Sequence, residues 1–248
     1  MKKDDILNIG VIFAGGVGSR MRSKEKPKQF LEIYGKPIII YTLEHFEKND
    51  EIDSIVVACV EEWIDYFKEQ LEKFRIRKVK RIVSGGKSGQ LSIYNGLCAA
   101  KEIAADKRAI ALIHDGVRPL ITSGLLSENI KCVKERGSAV TAGIVKETIV
   151  VVDANGCVEQ VPSREKSRVA KAPQSFWLDD ILSAHKKAMS ENIFDTIDSC
   201  TLMKKYGYQL YMVDGPYENI KITTPDDYYT MRAILEAKEN AQIYGFGD

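Results

Sequence analysis

The sequence has no excess charge of either sign and no long apolar run. Its 248 residues include 36 Lys and Arg against 35 Asp and Glu, a formal net charge of +1 at pH 7. Domains held to nucleic acid by bulk charge usually show a strong basic excess, so this balance argues against such a protein. Apolar stretches such as residues 55–60 and 149–152 are far shorter than the roughly 18 residues of a membrane helix. We therefore expect neither nucleic acid nor a membrane as a partner.

Cysteine and histidine are scarce, and neither forms a recognisable site. The five cysteines are odd in number, widely spaced and without a Cys-x-x-Cys pair. This pattern favours free thiols in a reducing cytoplasm over a disulfide framework or a zinc site. The three histidines are not clustered, so a metal site built on imidazole is not expected. We interpret His114 as a hydrogen-bonded structural residue, and His45 and His185 as surface or boundary residues of amphipathic helices.

Short apolar runs rich in β-branched residues alternate with longer amphipathic stretches. The runs lie at residues 9–13, 55–60, 80–83, 109–114, 140–145, 148–152 and 210–213. Helical periodicity marks residues 61–74, 91–105 and 125–135, and Thr224-Pro225 is a good helix start. The alternation predicts an α/β fold of the Rossmann type, with a mostly parallel sheet and helices on both faces.

Between about residues 141 and 175 the pattern changes to strand followed by strand. Residues 153–156 read Asp-Ala-Asn-Gly, a turn signal between two β runs, which predicts a hairpin. No Gly/Ser-rich or Pro-rich linker divides the chain. The sequence therefore predicts a single domain over residues 1–248 with an inserted β-arm at about residues 141–175.

A glycine-rich loop, AGGVGSRM at residues 14–21, follows the first predicted strand directly. Ligands of open α/β sheets bind beyond the carboxyl ends of the strands, and glycines let backbone N–H groups approach a phosphate. A P-loop would end in Gly-Lys-Ser/Thr, and a dinucleotide fingerprint would have glycine where Met21 stands. Five basic residues accompany the loop, which favours a polyphosphate site: Arg20, Arg22, Lys24, Lys26 and Lys28.

A carboxylate follows the fourth predicted strand, in His114-Asp115-Gly116. At that end of the sheet Asp115 is a candidate ligand of Mg²⁺, which carries phosphate oxygens. No Gly-x-Ser-x-Gly elbow occurs, and none of the cysteines lies in a catalytic context. Cations, carboxylates and glycine-lined approaches suit phosphoryl or nucleotidyl transfer, where positioning and charge neutralisation do most of the catalysis.

Six segments in chain order carry a resemblance to a known family. They read AGGVGSRM, PKQF, GG…S…NGL at 85–97, HDGVRP at 114–119, APQSF at 172–176 and NIKITTPDD at 219–227. The ordered set resembles the CTP-dependent cytidylyltransferases that act on methylerythritol phosphate or ribitol phosphate. The resemblance implies a Rossmann-like nucleotidyltransferase fold and a homodimer formed through the β-arm. The implied reaction joins CTP and a sugar-alcohol phosphate into a CDP-alcohol and releases pyrophosphate.

Residue roles follow from the resemblance position by position. Arg20, Lys28 and Lys221 would be the catalytic cations that hold the triphosphate and the α-phosphate. Asp115 would bind Mg²⁺ beside the CTP. The remaining CTP-binding residues would surround the phosphates and the cytosine: Ala14, Gly15, Gly16, Gly18, Gly85, Gly86 and Ser92.

The substrate-binding residues implied by the resemblance are Arg164, Asp198 and Thr223. Arg164 lies on the arm and would act in the neighbouring subunit's site. Asp198 would hydrogen-bond the hydroxyls of the polyol. The chain departs from the family at Gly89, where an arginine is usual, and at Ala172, where a threonine is common.

The finer pattern resembles the ribitol-phosphate enzymes more than the methylerythritol-phosphate enzymes. The glycine loop, Trp63 and the segment Asp198-Ser199-Cys200 are the features that favour D-ribitol 5-phosphate. Methylerythritol 4-phosphate remains the alternative substrate. Two other classes stay open at this point: an NAD-linked oxidoreductase on a Rossmann sheet, and a non-catalytic nucleotide-binding relative.

Overall fold

The computed structural model describes residues 6–15 and 26–244, with side chains through residue 240. Its strands and helices, in chain order, are β1 (Leu7–Ala14), β2 (Glu32–Ile33), β3 (Lys36–Pro37), α1 (Ile38–Lys48), β4 (Ser54–Cys59), α2 (Ile64–Lys73), β5 (Val79–Ser84), α3 (Gly89–Ala104), β6 (Ala109–Asp115), α4 (Ser123–Arg136), β7 (Ser138–Ile144), β8 (Val151–Val152), β9 (Val158–Gln160), β10 (Arg168–Trp177), α5 (Leu178–Ser190), α6 (Ser199–Lys205), β11 (Met212–Asp214) and α7 (Pro225–Tyr244).

The described residues form a central seven-stranded sheet in the order β11-β7-β10-β6-β1-β4-β5. Strands β4 and β6 flank β1 in parallel, β5 pairs parallel with β4, and β11 pairs parallel with β7. Strand β10 runs antiparallel to both of its neighbours, β6 and β7. Its first residues therefore reach the same edge of the sheet as the carboxyl ends of β1 and β6.

The centre of the sheet is buried on both faces, so β1, β4 and β6 are mostly apolar rather than alternating, whereas the edge strand β5 carries the exposed Lys80 and Arg81. In β1, Ile9 and Val11 pack on one face with α3, α5 and α6, while Ile12 packs on the other face with α1, α2 and α4. Leu97 and Phe67 are fully buried representatives of the two helical layers. This arrangement confirms the predicted α/β fold with helices on both faces.

Strand β10 was not predicted as part of the central sheet, because its sequence argues against that position. Proline cannot donate a ladder hydrogen bond and is normally confined to edges and bulges. Here Pro173 falls between Ala170 and Gln174, where the pairing with β7 shifts register. Gln174 and Ser175 are buried polar residues that hydrogen-bond to other side chains, and burial is therefore compatible with their polarity.

The hairpin predicted at residues 153–156 is present between β8 and β9. Oδ1 of Asp153 accepts hydrogen bonds from the backbone N–H groups of Asn155 and Cys157, both at 2.8 Å. Gly156 has a φ of +83°, a conformation that glycine adopts without strain. The stretch between the end of β7 and the start of β10, residues 145–167, carries this hairpin away from the sheet edge.

The predicted position of His185 is wrong, because its side chain is buried on α5 rather than at a surface. Its ring stacks on that of Tyr94 with centroids 5.9 Å apart, and neither ring nitrogen has a hydrogen-bond partner among the described residues. Burial lowers the pKa of His185 from 6.5 to about 4. His185 lies on the buried face of α5, beside Ile181, Ala184 and Ala188.

Acid is therefore expected to destabilise the fold through His185. Between pH 6.5 and 4 the unfolded chain binds a proton at this imidazole that the folded chain does not. The free energy of unfolding should fall as the pH is lowered through this window, by an amount on the order of 3 kcal/mol from this residue. Urea unfolding at pH 7, 6, 5 and 4.5 should show a shallower pH dependence for His185→Leu. An unchanged slope in that variant would contradict the assignment.

Among the described helices, none combines the length and apolar character that crossing a membrane requires.

Candidate active site

Two adjoining cavities lie at the edge of the sheet where the parallel strands end. The glycine cavity, of about 390 Å³, is lined by Ala14, Gly15, Lys28, Gln29, Gly86, Lys87, Ser88, Ser92 and Val117. The Asp198 cavity, of about 380 Å³, is lined by Gln90, Ile93, Ile113, Arg118, Ala170, Lys171, Ala172, Gln174, Thr196, Ile197, Asp198 and Ser199. The two share four wall residues, Phe13, Gly89, Asp115 and Lys221.

The glycine cavity is shaped by a close approach of two loops. A Cβ on Gly15 would lie 2.9 Å from Oγ of Ser92, and one on Gly85 would lie 3.1 Å from Cα of Gly15. Only glycine fits at this contact. Oγ of Ser92 accepts from the N–H of Gly86 at 3.0 Å and donates to the carbonyl of Ser88 at 2.9 Å. Ser92 thus fixes the loop that follows β5.

Lys28 reaches the glycine cavity from a 3-10 turn that is anchored by its neighbour. Nε2 of the buried Gln29 donates to the carbonyl of Ala14, at the end of β1, over 2.6 Å. The charge of Lys28 also affects the pKa of Asp227, at the start of α7. Burial opposes ionisation of that carboxyl, but the N–H groups of Thr224 and Thr223 and the charge of Lys28 lower its pKa.

An ionic cluster of two buried residues, Asp115 and Arg118, and the more exposed Lys221 lies where the two cavities meet. Oδ1 of Asp115 lies 2.6 Å from Nζ of Lys221, and Oδ2 lies 3.2 Å from Nε of Arg118. Burial alone would raise the pKa of Asp115, but Lys221 and Arg118 outweigh it and hold the pKa below its usual range. Asp115 is therefore a carboxylate at neutral pH. Arg118 is held in place because it also donates to the carbonyl of Asn219 at 2.8 Å.

His114 is the structural residue that the sequence predicted. Its Nε2 lies 3.0 Å from the carbonyl of Arg118, and its ring is fully buried against Phe46. Burial lowers the pKa of His114 to about 3, so the imidazole is neutral at physiological pH. It supports the turn that presents Asp115 and Arg118.

The Asp198 cavity adds a further cation and a carboxylate. Nζ of Lys171 donates to the carbonyls of Pro216 and Tyr217 at 3.1 and 3.0 Å. Burial and the nearby charge of Arg118 lower the pKa of Lys171. Across the cavity, Asp198 caps α6 by accepting from the N–H of Thr201 at 2.8 Å.

The structure brings together most of the residues singled out from the sequence. Around the two cavities it gathers Ala14, Gly15, Lys28, Gly86, Ser92, Asp115, Asp198 and Lys221, with Gly85 packed directly behind Gly15. Arg20, Gly16 and Gly18 lie outside the described residues. A Cβ on Gly89 would meet no atom within 4 Å among the described residues, so the place of the family's usual arginine opens into both cavities.

Two of the residues implied to bind substrate do not line either cavity within the described chain. Oγ1 of Thr223 donates to the carbonyl of Lys221 at 3.2 Å, so it shapes the loop that carries that lysine. Arg164 is exposed on the arm, where its Nη2 donates to Oγ1 of Thr148 at 3.0 Å. A role for Arg164 in a neighbouring subunit stays a prediction.

Four cavity residues were missed by the sequence reasoning: Arg118, Lys171, Gln90 and Gln174. Arg118 and Gln174 lie inside the quoted motifs HDGVRP and APQSF, which were the available signals. Lys171 precedes APQSF directly and faces the same edge because β10 is antiparallel. Gln90 contacts Ile193 and Thr196, which are more than 100 positions away in the chain, so the sequence around Gln90 could not predict these contacts.

Charges of this kind suit a site for two phosphorylated substrates. The glycine cavity has Lys28 in its wall, the Asp198 cavity has Arg118 and Lys171, and Lys221 stands in both. Two anions, one in each cavity, would therefore both lie beside the ammonium group of Lys221. The arrangement can hold two phosphates side by side and stabilise the charge that builds up when one attacks the other.

Comparison with known proteins decides the family. Residues 9–237 match the family described as "IspD: 2-C-methyl-D-erythritol 4-phosphate cytidylyltransferase". The chain belongs to the IspD cytidylyltransferase family. It is 55% identical over 239 residues to a protein named ribitol-5-phosphate cytidylyltransferase of Streptococcus agalactiae serotype III (strain NEM316), covering 96% of this chain and 100% of that one.

More distant members of the IspD family carry the other name. The chain is 39% identical over 231 residues to a 2-C-methyl-D-erythritol 4-phosphate cytidylyltransferase of Clostridium acetobutylicum, covering 93% of this chain and 98% of that one. Its fold matches a crystal structure of 4-diphosphocytidyl-2C-methyl-D-erythritol synthase from Anaerococcus prevotii, with a TM-score of 0.81 and 27% identity over 94% of this chain and 97% of that one.

As an IspD-family cytidylyltransferase, the protein is a transferase that uses CTP as co-substrate and transfers CMP to a sugar phosphate. Family membership and the intact cationic site argue against both the NAD-linked oxidoreductase and the non-catalytic relative.

Proposed function

We propose that the protein transfers CMP from CTP to D-ribitol 5-phosphate, giving CDP-ribitol and pyrophosphate. The observation that carries this choice is the difference in identity between the two named groups. Identity is 55% to the ribitol-5-phosphate enzyme over its whole length and 39% to the methylerythritol-phosphate enzyme. The alternative, methylerythritol 4-phosphate, uses the same mechanism on a different polyol.

CTP is placed in the glycine cavity under this proposal. Ala14 and Gly15 are assigned to the phosphates, together with Gly16 and Gly18, which lie outside the described residues and are assigned from the motif alone. Gly85 and Gly86, next to Ser92, are assigned to the cytosine. Arg20 and Lys28 hold the triphosphate. What supports the assignment is that the backbone at Gly15 and Gly86 lines the same cavity as Lys28.

The polyol phosphate is placed in the Asp198 cavity. A phosphate oxygen of ribitol 5-phosphate attacks the α-phosphorus of CTP in line, a new P–O bond forms, and the bond to the β-phosphate breaks to release pyrophosphate. Lys221, which stands in the walls of both cavities, stabilises the negative charge that develops at the α-phosphate. Arg118 and Lys171 neutralise the attacking phosphate.

Asp115 fits a magnesium ion of the kind that nucleotides carry. Magnesium is commonly held by one or two carboxylates together with substrate phosphates and water. Among the described residues no group of three or more His, Cys, Asp or Glu side chains converges. Asp115, which lines both cavities, is the carboxylate proposed to hold the ion. Because Asp115 is ionised at neutral pH, it can exchange its contact with Lys221 for the metal. When bound, Mg²⁺ would supply further neutralisation of the phosphate oxygens.

The test is pyrophosphate release with CTP and Mg²⁺ and three acceptors in parallel: ribitol 5-phosphate, methylerythritol 4-phosphate and glycerol 3-phosphate. Turnover with ribitol 5-phosphate alone is expected. Turnover with methylerythritol phosphate instead would keep the mechanism and overturn the substrate. Omission of CTP, its replacement by UTP, and addition of EDTA are the controls.

We further propose that residues 1–248 form one domain and that two copies associate through the arm. Apolar side chains of the arm and its flanking strands are exposed in the single chain: Ile144, Ile149, Val150, Val151, Val152, Val158, Val161 and Val169. So many exposed apolar side chains within one short segment favour a protein–protein interface there. In such a dimer Arg164 would reach the Asp198 cavity of the partner.

The arm gives a direct prediction about oligomeric state. Light scattering at micromolar concentration should show twice the mass of the chain. Val158→Glu places a charge on the exposed apolar face of β9 and is expected to shift the protein to monomer, with loss of turnover. Glu159→Lys, an exposed change on the same strand, is the control for altered charge alone. A monomeric wild type that turns over normally would contradict the shared site.

A further inference from the structure

Residues 193–200 contribute one wall of the Asp198 cavity, and the apolar contacts of this segment with the core come from its two ends, Ile193 and Cys200. It runs from the end of α5 to the start of α6 and contributes Thr196, Ile197, Asp198 and Ser199 to the cavity. The side chain of Ile197 is 90% exposed, so it does not anchor the segment in the core. The hydrogen bonds that hold this wall therefore come from other elements.

The first anchor is Gln90 at the start of α3. Its Nε2 donates to the carbonyl of Ile193 at 2.8 Å, and its Oε1 accepts from the N–H of Thr196 at 2.8 Å. Gln90 is only 3% exposed. The carboxamide of Gln90 therefore links Ile193 and Thr196, the two ends of the turn that precedes Asp198.

The second anchor is Gln174 in β10, on the other side of the cavity. Its Nε2 donates to Oδ2 of Asp198 at 2.9 Å, and its Oε1 accepts from the N–H of Cys200 at 2.8 Å. Gln174 is likewise buried. It holds the backbone of α6 and the carboxylate of Asp198 with one rigid group.

We propose that Gln90 and Gln174 are positioning residues that set the enzyme's selectivity among polyol phosphates by fixing the 193–200 wall and the direction of the Asp198 carboxylate. This rests on the proposed function of the Asp198 cavity.

The two glutamines matter for selectivity because they fix the orientation of the Asp198 carboxylate. Each oxygen of the carboxylate accepts one protein N–H, from Thr201 and from Gln174. An ionised carboxylate has about four lone-pair directions, so each oxygen keeps one for a hydroxyl of the ligand. Because both oxygens are fixed, the acceptors meet hydroxyls in one configuration along the polyol chain and reject others. A carboxylate free to rotate would accept from either configuration.

The two glutamines come from rigid elements, which makes them suited to the task. Gln90 belongs to the first turn of a 16-residue helix, and Gln174 to a strand that pairs on both sides with the central sheet. Sites supported by such elements hold their geometry more closely than sites supported by loops alone.

The test compares Gln174→Met and Gln90→Met with wild type, using ribitol 5-phosphate and its stereoisomers xylitol 5-phosphate and arabinitol 5-phosphate. Loss of a hydrogen bond to a charged group is expected to raise the KM for ribitol 5-phosphate about ten- to hundredfold in Gln174→Met. The KM for CTP should stay within about twofold, since the glycine cavity is not touched. The preference for ribitol over the other two isomers should fall in both variants. Gln209→Met, at an exposed glutamine that lines neither cavity, is the control.

A pH series with Gln174→Glu separates positioning from a general structural role. At neutral pH the new carboxylate opposes Asp198, but at lower pH the two can share one proton and restore a hydrogen bond. The KM defect of Gln174→Glu should therefore shrink between pH 8 and 6, whereas that of Gln174→Met should not change with pH.

Three results would overturn the proposal: unchanged isomer preference in the methionine variants, an equal rise in the KM for CTP, or a pH-independent defect in Gln174→Glu. If the Gln174 variants do not fold, the isomer preference of Gln90→Met and Gln90→Glu decides. A wild type that turns over none of the polyol phosphates would instead refute the proposed function, and that outcome is visible before any variant is made.

Discussion

Lys221→Met is expected to lower kcat by about 10²- to 10³-fold, which is the usual effect of removing one preorganised group that stabilises transition-state charge. Among the described residues, Lys221 is the one cationic side chain that lines both cavities, and under the proposed function it contacts both substrates. Methionine keeps the length of the side chain and removes the charge. Steady-state pyrophosphate release with saturating CTP and ribitol 5-phosphate measures the effect.

The same variant also perturbs Asp115, and the two effects must be separated. Without Lys221 the buried carboxylate keeps Arg118 as its ion-pair partner. Its pKa should rise toward the ordinary value of 3.8, so some of the stability that the lowered pKa provides above that pH is lost. Because the side chain of Lys221 is 40% exposed, we expect only a small fall in Tm. Lys134→Met, on the exposed face of α4, is the matched control, and a kcat near that of wild type in Lys221→Met would refute the assigned role.

Lys28→Ala is the second change with a large expected effect, and it should abolish measurable turnover while the fold persists. Lys28 lies in the wall of the glycine cavity, where the triphosphate is placed. Its removal takes charge stabilisation from the leaving pyrophosphate, so kcat should fall about 10²-fold or more and CTP should bind more weakly. Pyrophosphate release and calorimetric titration with CTP measure the two quantities.

The fold should survive Lys28→Ala because the 3-10 turn is anchored by its neighbours. Gln29 hydrogen-bonds to the end of β1, and Phe30 is buried and stacks on Trp63. Far-UV circular dichroism and Tm should therefore stay close to wild type. Lys134→Ala provides the control for loss of a lysine elsewhere. Near-normal turnover in Lys28→Ala would remove this residue from the catalytic set.

The two lysine variants should differ in their KM for the polyol phosphate. Lys221 lines that cavity and Lys28 does not, so Lys221→Met should raise the KM for the polyol phosphate and Lys28→Ala should leave it near the wild-type value. A KM comparison of the two variants thus tests the placement of the two substrates without any further mutation.

The layered fold and the family were determined by the sequence itself. Strands buried on both faces need runs of apolar residues, and residues 9–14 of β1, 55–59 of β4 and 109–113 of β6 show that pattern. Gly15 was singled out by the glycine-rich loop and Gly85 by the resemblance to the family, and the structure adds that the two approach each other closely. Lys28, Asp115 and Lys221 were found because they lie in short motifs in a fixed order.

Other features were decided only by the tertiary structure, since they depend on pairs that are distant in the chain. Nothing near Gln90 or Gln174 indicates that their carboxamides hold residues 193–200. Pro173 argued locally against the central strand that β10 forms, and the shift of register around it is a property of the pairing with β7. His185 reads as a boundary residue on its helix, yet it is buried because α5 packs on α3 against Tyr94. Periodicity and motifs report what one element needs, whereas burial and side-chain partners depend on which elements meet.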